Sequence, residues 1–192
     1  MSLKDTYYIR EETALYESHK ELIKKFHYSK SYKTMLHKYI FGLYDQNHVL
    51  IGSAVFGTPM NIKLMKSGFL ELRKFVLIDE APFNSESFFL GNCLRLLKQK
   101  KTYKKVVTFA DPNKKHLGTI YKATNWKFDD KQTVDNPRVI KYGKRRIHLR
   151  QVYQKKLGAY TKNALEIQRL IKTGKAKVIK QKPKLRFVYD FT

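Results

Sequence analysis

The sequence predicts an α/β fold: a mixed, largely antiparallel sheet flanked by helices, with a basic C-terminal extension. Three observations predict it. Residues 69–128 read as strand, polar loop, helix, strand, acidic turn and helix. Residues 38–56 read as a β-hairpin. A basic stretch almost without acids begins at residue 138. Every element carries a face that must pack, which favours a single core.

Residues 11–26 predict a helix, because Leu15, His19, Leu22, Ile23 and Phe26 recur at three-to-four spacing with charges between them. Residues 27–34 read as a polar loop. Residues 38–44 and 48–56 predict paired strands turning at Asp45-Gln46-Asn47, and Gly57-Thr58-Pro59 breaks the second. Residues 69–78 predict a strand on which Arg73 and Lys74 point to opposite faces. Ser85 or Ser87 is expected to cap a helix running to about Lys100, with Phe89, Leu90, Cys93, Leu94 and Leu97 on its apolar face. Residues 105–110 are a short hydrophobic strand suited to a sheet interior, ending at Asp111. A short helix is expected over 117–124, followed by Trp126, a core residue, and a strand beginning at 126–128. Residues 138–153 read as alternating basic and apolar strands turning at Tyr142-Gly143-Lys144. Residues 159–173 read as a basic helix ending near Gly174, and 175–192 as an arm or a final strand. The expected division is a catalytic domain over 1–153 and a basic helix and arm over 154–192, packed on the same domain.

The charge is uneven. Forty Lys and Arg face sixteen Asp and Glu, a formal net charge of +24. Residues 1–137 hold 23 basic and 14 acidic residues, and residues 138–186 hold 17 basic and one acidic, Glu166. Such an excess favours a polyanionic partner, with nucleic acid ahead of an anionic membrane surface. No apolar run reaches the ~18 residues a membrane span needs, and Met1–Arg10 has no apolar signal core. The one cysteine, Cys93, has no partner in the chain for a disulfide or a zinc pair. These features predict a cytoplasmic protein. The six histidines show no ligand spacing, so no metal site is expected.

Polar groups gather at the strand ends, where open α/β sheets place their sites. Asp111 is a candidate proton acceptor, or else a turn cap. Ser85 and Ser87, with Asn84 before them, are candidates for substrate binding or oxyanion stabilisation beside helix N–H groups, or for plain capping. Tyr28 is a candidate platform for an extruded base and His27 for proton transfer, with Ser29 beside them; the alternative is a solvated loop. His116 is a candidate proton carrier or cap residue. Tyr121 is a candidate acid or a packing residue. Arg73 is a candidate ligand for a carboxylate or phosphate. Lys144, Arg145, Arg146, Arg150, Lys155 and Lys156 are candidate DNA-phosphate contacts, giving salt-dependent affinity with little sequence choice. Ser87, Asp111 and Tyr121 are expected to share one hollow beside the basic flank.

The hairpin, the Glu71-Leu72-Arg73 strand with its following helix, the strand ending at Asp111 and the Ile120–Trp126 helix resemble the core of GCN5-related N-acetyltransferases (GNAT). That resemblance implies a GNAT-like sheet. More narrowly, four pieces resemble the Mom DNA-modification proteins of bacteriophages. They are His27-Tyr28-Ser29 with Lys30, Glu71-Leu72-Arg73, Ser85-Glu86-Ser87, and Phe109-Ala110-Asp111-Pro112 followed by His116, Gly118, Tyr121 and Asn125-Trp126. The resemblance covers about residues 26–150.

It implies addition of a carbamoylmethyl group to N6 of adenine in double-stranded phage DNA, in the host cytoplasm, shielding that DNA from restriction. It also implies Asp111 or His116 as base, Tyr121 as acid and Ser87 in donor binding. One departure from ordinary acetyltransferases stands out. The lead-in to the helix, residues 79–87, has no glycine, three acids (Asp79, Glu80, Glu86) and Pro82. It lacks the glycine-rich turn that holds a cofactor pyrophosphate, which counts against acetyl-CoA bound in the usual manner. The sequence leaves the group donor unknown. An acetyl-CoA-dependent N-acetyltransferase, a tRNA-directed acyltransferase and a non-enzymatic DNA-binding protein are the rival readings.

Overall fold

The computed structural model describes residues 2–30, 32, 37–130 and 138–192, without the side chain of Arg150. In chain order its elements are α1 (Leu3–Thr6), β1 (Tyr7–Glu12), α2 (Glu17–Phe26), β2 (His37–Asp45), β3 (Leu50–Gly57), α3 (Ile62–Lys66), β4 (Leu70–Leu77), α4 (Ser85–Lys100), β5 (Lys105–Ala110), α5 (Thr119–Ala123), β6 (Lys127–Asp129), β7 (Arg138–Tyr142), β8 (Arg145–His148), β9 (Lys155–Lys156), β10 (Ala159–Tyr160), α6 (Lys162–Lys172), β11 (Lys177–Lys180) and β12 (Leu185–Asp190). The fold is mixed α/β, as the sequence predicts.

The chain separates into two compact units. One comprises Met1–Ala110, His116–Lys131 and Leu185–Thr192; the other comprises Asp111–Lys115 and Gln132–Lys184. This division differs from a single boundary at residue 153. The chain leaves the first unit after β5, and β12 returns to the large sheet between β5 and β6.

The first unit is built on a seven-stranded sheet in the order β1-β2-β3-β4-β5-β12-β6. Every pairing is antiparallel except β4 with β5. The period-2 alternation of strands sends neighbouring residues to opposite faces. Ile40, Val55 and Val76 bury against Leu22 and Ile23 of α2. Phe41, Ala54, Phe56 and Leu72 bury with Phe89, Leu90, Cys93 and Leu97 of α4. Both faces of the central strands are therefore covered, and β2 and β3 read as continuous apolar runs for that reason.

Three local expectations are corrected. The helix expected over 11–26 begins only at Glu17, and Glu11 and Glu12 end β1, which pairs with β2 along its whole length. Edge pairing overrides the helical spacing there. Neither Ser85 nor Ser87 caps α4; Asn84 does so with a left-handed backbone (φ 67°) and no side-chain cap bond. The tail is two strands, β11 and β12, rather than one. Of the loop expected over 27–34, residues 31, 33 and 34 lie outside the described residues.

A buried polar network ties α2 to the sheet. His19 is fully buried, its Nδ1 2.8 Å from Ser53 Oγ and its Nε2 4.0 Å from Glu12 Oε1. Glu12 also accepts from Tyr44 Oη at 2.6 Å and Arg10 Nε at 2.9 Å. Burial lowers the His19 pKa, outweighing the upward pull of Glu12; Arg10 lowers it further. The neutral imidazole is thus the form the fold prefers. Its stabilisation is present above the unfolded value of ~6.5 and is lost as pH falls through the lower folded value. Denaturant midpoints measured from pH 7.5 down to 5 should fall, and His19→Gln should flatten that fall; an unchanged slope would show that His19 does not titrate in folding.

The second unit is smaller. Its three-stranded sheet runs β11-β7-β8 and its two-stranded sheet pairs β9 with β10. Ile140, Val152, Ile167 and Ala176 form its core. Thr161 caps α6 by accepting from the Ala164 N–H at 3.2 Å.

Candidate functional site

β4 and β5 run parallel but pair only at Leu70↔Val106 and Glu71↔Val107. Both strands continue past that point, so the ladder opens toward their carboxyl ends. Thr108 spans the opening: its Oγ1 lies 3.2 Å from the Leu72 carbonyl and 3.4 Å from the Tyr121 hydroxyl. The single hydroxyl proton of Thr108 serves one of these contacts at a time.

Tyr121 is held by its surroundings. Its ring lies 5.2 Å from Phe187 and 5.4 Å from Trp126. Burial, chiefly, pushes its phenol pKa above the ordinary value; the Thr108 hydrogen bond pulls the other way and the Glu86 charge adds a little. Tyr121 is therefore protonated at neutral pH. Gly118 sets the start of α5. It sits at φ 78°, and a Cβ there would come within 2.3 Å of the Phe187 ring. Gly118→Ala combines a left-handed backbone with overpacking and should cost about 2–4 kcal/mol. A thermal melt within a degree of the parent would contradict this.

Two residues beyond Leu72, about 7 Å along the strand, Lys74 begins a second set of groups. Lys74 Nζ donates to Ser29 Oγ at 2.6 Å, and Ser29 Oγ lies 2.9 Å from His27 Nδ1. The Ser29 backbone N–H also donates to His27 Nδ1, at 3.1 Å. A nitrogen that accepts an N–H carries no proton, so His27 in its neutral form holds its proton on Nε2. His27 is the C-terminal cap of α2 and is buried. Its ring stacks on Tyr28, centroids 4.4 Å apart, and Tyr28 meets His116 at 5.0 Å. Tyr28 is 39% exposed. The three residues nominated from the loop and His116 thus form one cluster. Lys74, which the sequence reads only as one of two alternating cations, joins them.

The remaining candidates other than Ser85 have partners of their own. Arg73 Nη1 donates to the Thr58 carbonyl at 3.3 Å, and Glu71 accepts from the Met60 N–H at 3.0 Å, so both fasten the chain after β3. Ser87 Oγ donates to the Asn84 carbonyl at 3.0 Å. It lines a cleft of about 640 Å³ with Tyr8, Asn92 and Arg95, which Tyr121 does not line. Ser85 is buried with its Oγ unpaired. Asp111 belongs to the second unit, where its Oδ1 accepts from the Asn113 N–H at 3.0 Å and Nδ2 at 2.9 Å. Asn113 in turn bonds the Lys182 carbonyl at 2.7 Å and N–H at 3.0 Å.

Lys144, Arg145, Arg146, Lys155 and Lys156 are exposed on the second unit, and the Arg150 side chain lies outside the description. The register across β11-β7-β8 sets Lys177 opposite Lys141 and Lys141 opposite Arg146. Lys180 faces Arg138. Like charges directly opposite one another destabilise a sheet. Among the described residues no metal-holding group of three or more His, Cys, Asp or Glu is present, and no helix is long and apolar enough to cross a membrane.

The sequence model of the Mom protein family matches residues 9–192. The chain belongs to the Mom family. No curated protein sequence matches it. Solved structures place this Mom-family fold among GNAT acetyltransferases. An acetyltransferase from Bacillus subtilis in complex with CoA is 8% identical, with a TM-score of 0.56 over 96% of this chain and 98% of that one. The IAA acetyltransferase of Bacillus cereus is 9% identical, with a TM-score of 0.54 over 96% and 99%. A GNAT-family N-acetyltransferase from Escherichia coli in complex with CoA is 14% identical, with a TM-score of 0.51 over 64% and 69%. These likenesses concern the fold.

The start of α4 fits a coenzyme pyrophosphate poorly. The Ser85 N–H is already bonded to the Pro82 carbonyl at 3.1 Å, and Glu86 sets a carboxylate in the first turn. No glycine between 79 and 87 allows a close approach. A diphosphate would meet like charge where it needs donors.

Proposed function

We propose that this Mom-family chain is a transferase that modifies N6 of adenine in double-stranded DNA with a carbamoylmethyl-type group, protecting that DNA from restriction. The observation that carries the reading is Tyr28, part-exposed, stacked by one face on His27 and met by the tilted ring of His116, beside the opened end of β4. The family and the cationic second unit agree with it. That unit holds eighteen Lys and Arg against three Asp and Glu.

The unit's cations hold the phosphates of the duplex. N6 inside a stacked pair is not free to react, so the adenine is extruded, at a cost of a few kcal/mol that phosphate contacts offset. Tyr28 supplies a face for the displaced base. The lone pair of N6 is delocalised into the ring, so the amine must lose a proton as it attacks. His116, exposed and against Tyr28, is placed to take that proton. The bond from N6 to the donor carbon forms as the donor's leaving group departs with a proton from Tyr121. Asp111 acts in the second unit by fixing Asn113, and through it the Lys182 backbone.

The test is restriction protection in living cells. Plasmid DNA from cells expressing the protein should resist enzymes with adenine in their sites. His116→Ala and Tyr121→Phe should remove that resistance while the protein stays folded. Full protection in both variants would remove these two residues from the chemistry, and full cleavage with the unaltered protein would count against the function.

A further inference from the structure

The second unit carries a short hairpin whose tip its own stability does not explain. Among the described residues β9 and β10 pair with each other alone, Lys156 opposite Ala159 and Lys155 opposite Tyr160. Leu157 and Gly158 therefore make a two-residue turn. Both have a positive φ, 52° at Leu157 and 80° at Gly158. That is the type I′ pattern, whose first position is ordinarily Asn, Asp or Gly. A leucine there crowds its Cβ against the following carbonyl. Leu157 is also 98% exposed, so its side chain gains no burial. The residue costs the free protein twice, in backbone conformation and in apolar surface left in water.

The foot of the hairpin is held in place. The Thr161 N–H donates to the Gln154 carbonyl at 3.0 Å, and the Thr161 side chain caps α6. Just before β9, Val152 is buried in the core of the unit, and its carbonyl accepts from Gln168 Nε2 at 2.7 Å. An apolar tip thus stands on an anchored base.

The flanks indicate the kind of partner. Lys155 and Lys156 precede the tip, with Lys155 Nζ 4.8 Å from the centre of the Tyr160 ring. No acid occurs between residues 136 and 165. One apolar side chain beside cations fits a slot with apolar walls between two rails of negative charge, which is a base step of a duplex. An anionic membrane offers the same two chemistries. There, however, a whole myristoyl chain gives only marginal binding, and one leucine side chain is much smaller.

We infer that Leu157 is a wedge that enters the base stack of bound duplex DNA, unstacking one step and kinking the duplex, while Lys155 and Lys156 hold phosphates beside it. The wedge rests on the reading of the second unit as the one that grips DNA. It supplies the unstacking that extrusion of an adenine requires.

A duplex of about twenty base pairs, within one DNA persistence length, is labelled with a dye at each end and saturated with the full-length protein. Anisotropy reports binding, energy transfer between the ends reports bending, and permanganate oxidation of thymines reports unstacking. The unaltered protein should bend the duplex by ~20–90° and make thymines reactive. Leu157→Asn installs a residue that the turn favours. It should melt no lower than the parent and keep the salt slope of binding, because no phosphate contact is removed. It should nevertheless lose the bend and most of the thymine reactivity. Leu157→Met, another side chain used as a wedge, should restore both. Bent DNA in which no adenine is modified would support the wedge and count against the chemistry alone. Straight, stacked DNA under saturating unaltered protein, or an Asn variant that bends and unstacks like the parent, would overturn the wedge while the grip on DNA stands. An Asn variant that loses only its binding to phosphatidylserine vesicles would make the tip a membrane contact and overturn it as well.

Discussion

Replacing Tyr28 by Ala should lower adenine modification roughly ten- to hundredfold while leaving the melting temperature nearly unchanged. The size follows from the stacking that the substitution removes. Base–aromatic stacking is worth about 1–3 kcal/mol, and in the proposed mechanism it holds the extruded base against the opened end of β4. The small effect on stability follows from exposure, because Tyr28 is 39% exposed and belongs to none of the three core clusters. Tyr28→Phe keeps the ring and should keep most of the activity. The pair of variants separates a stacking role from a chemical one. A fully inactive Phe variant would make the hydroxyl a reacting group, and a fully active Ala variant would remove Tyr28 from base capture.

Substituting Lys141, Arg146 and Lys177 together by Ala should move affinity and stability in opposite directions. The three side chains form a row across β8, β7 and β11, each directly opposite the next, on the face away from buried Ile140. In the free protein each adjacent like-charged pair costs a few tenths of a kcal/mol or more, so the triple variant should unfold at higher denaturant. In the proposed DNA complex the row faces phosphates. Its loss should cut duplex affinity and reduce the slope of log K against log salt by about 2.7, three contacts at ~0.9 each. Lower affinity together with higher stability identifies a surface kept for a polyanion. A triple variant that loses stability and keeps its salt slope would make the row structural.

Most of the architecture is legible in the sequence. The hairpin, β4, α4 and β5 can be read because their periods are long, and β2 and β3 show the unbroken apolar runs of strands covered on both faces. The edge strand β1 is hidden because its pairing partner lies beyond α2, and Glu11 and Glu12 fit a helix as readily as a strand. Asn84 escapes notice as a cap because its role rests on a left-handed backbone rather than on a side-chain bond. The division into units depends on β12 returning to the large sheet, a long-range pairing that local pattern does not encode.

The site is legible in part. His27, Tyr28, Ser29 and His116 stand out in distant parts of the chain, and the fold gathers them. Lys74 does not stand out as their partner, because on β4 it reads only as the polar half of an alternation. Thr108 is hidden because a threonine in a short hydrophobic strand looks like ordinary β-branched filling.

Nucleoside mass spectrometry of DNA and tRNA from cells expressing the protein tests the central claim most directly. The expected result is a new deoxyadenosine derivative of carbamoylmethyl composition in the DNA, with tRNA nucleosides unchanged. Unmodified deoxyadenosine in that DNA, or the new group appearing only on a tRNA base, would contradict it.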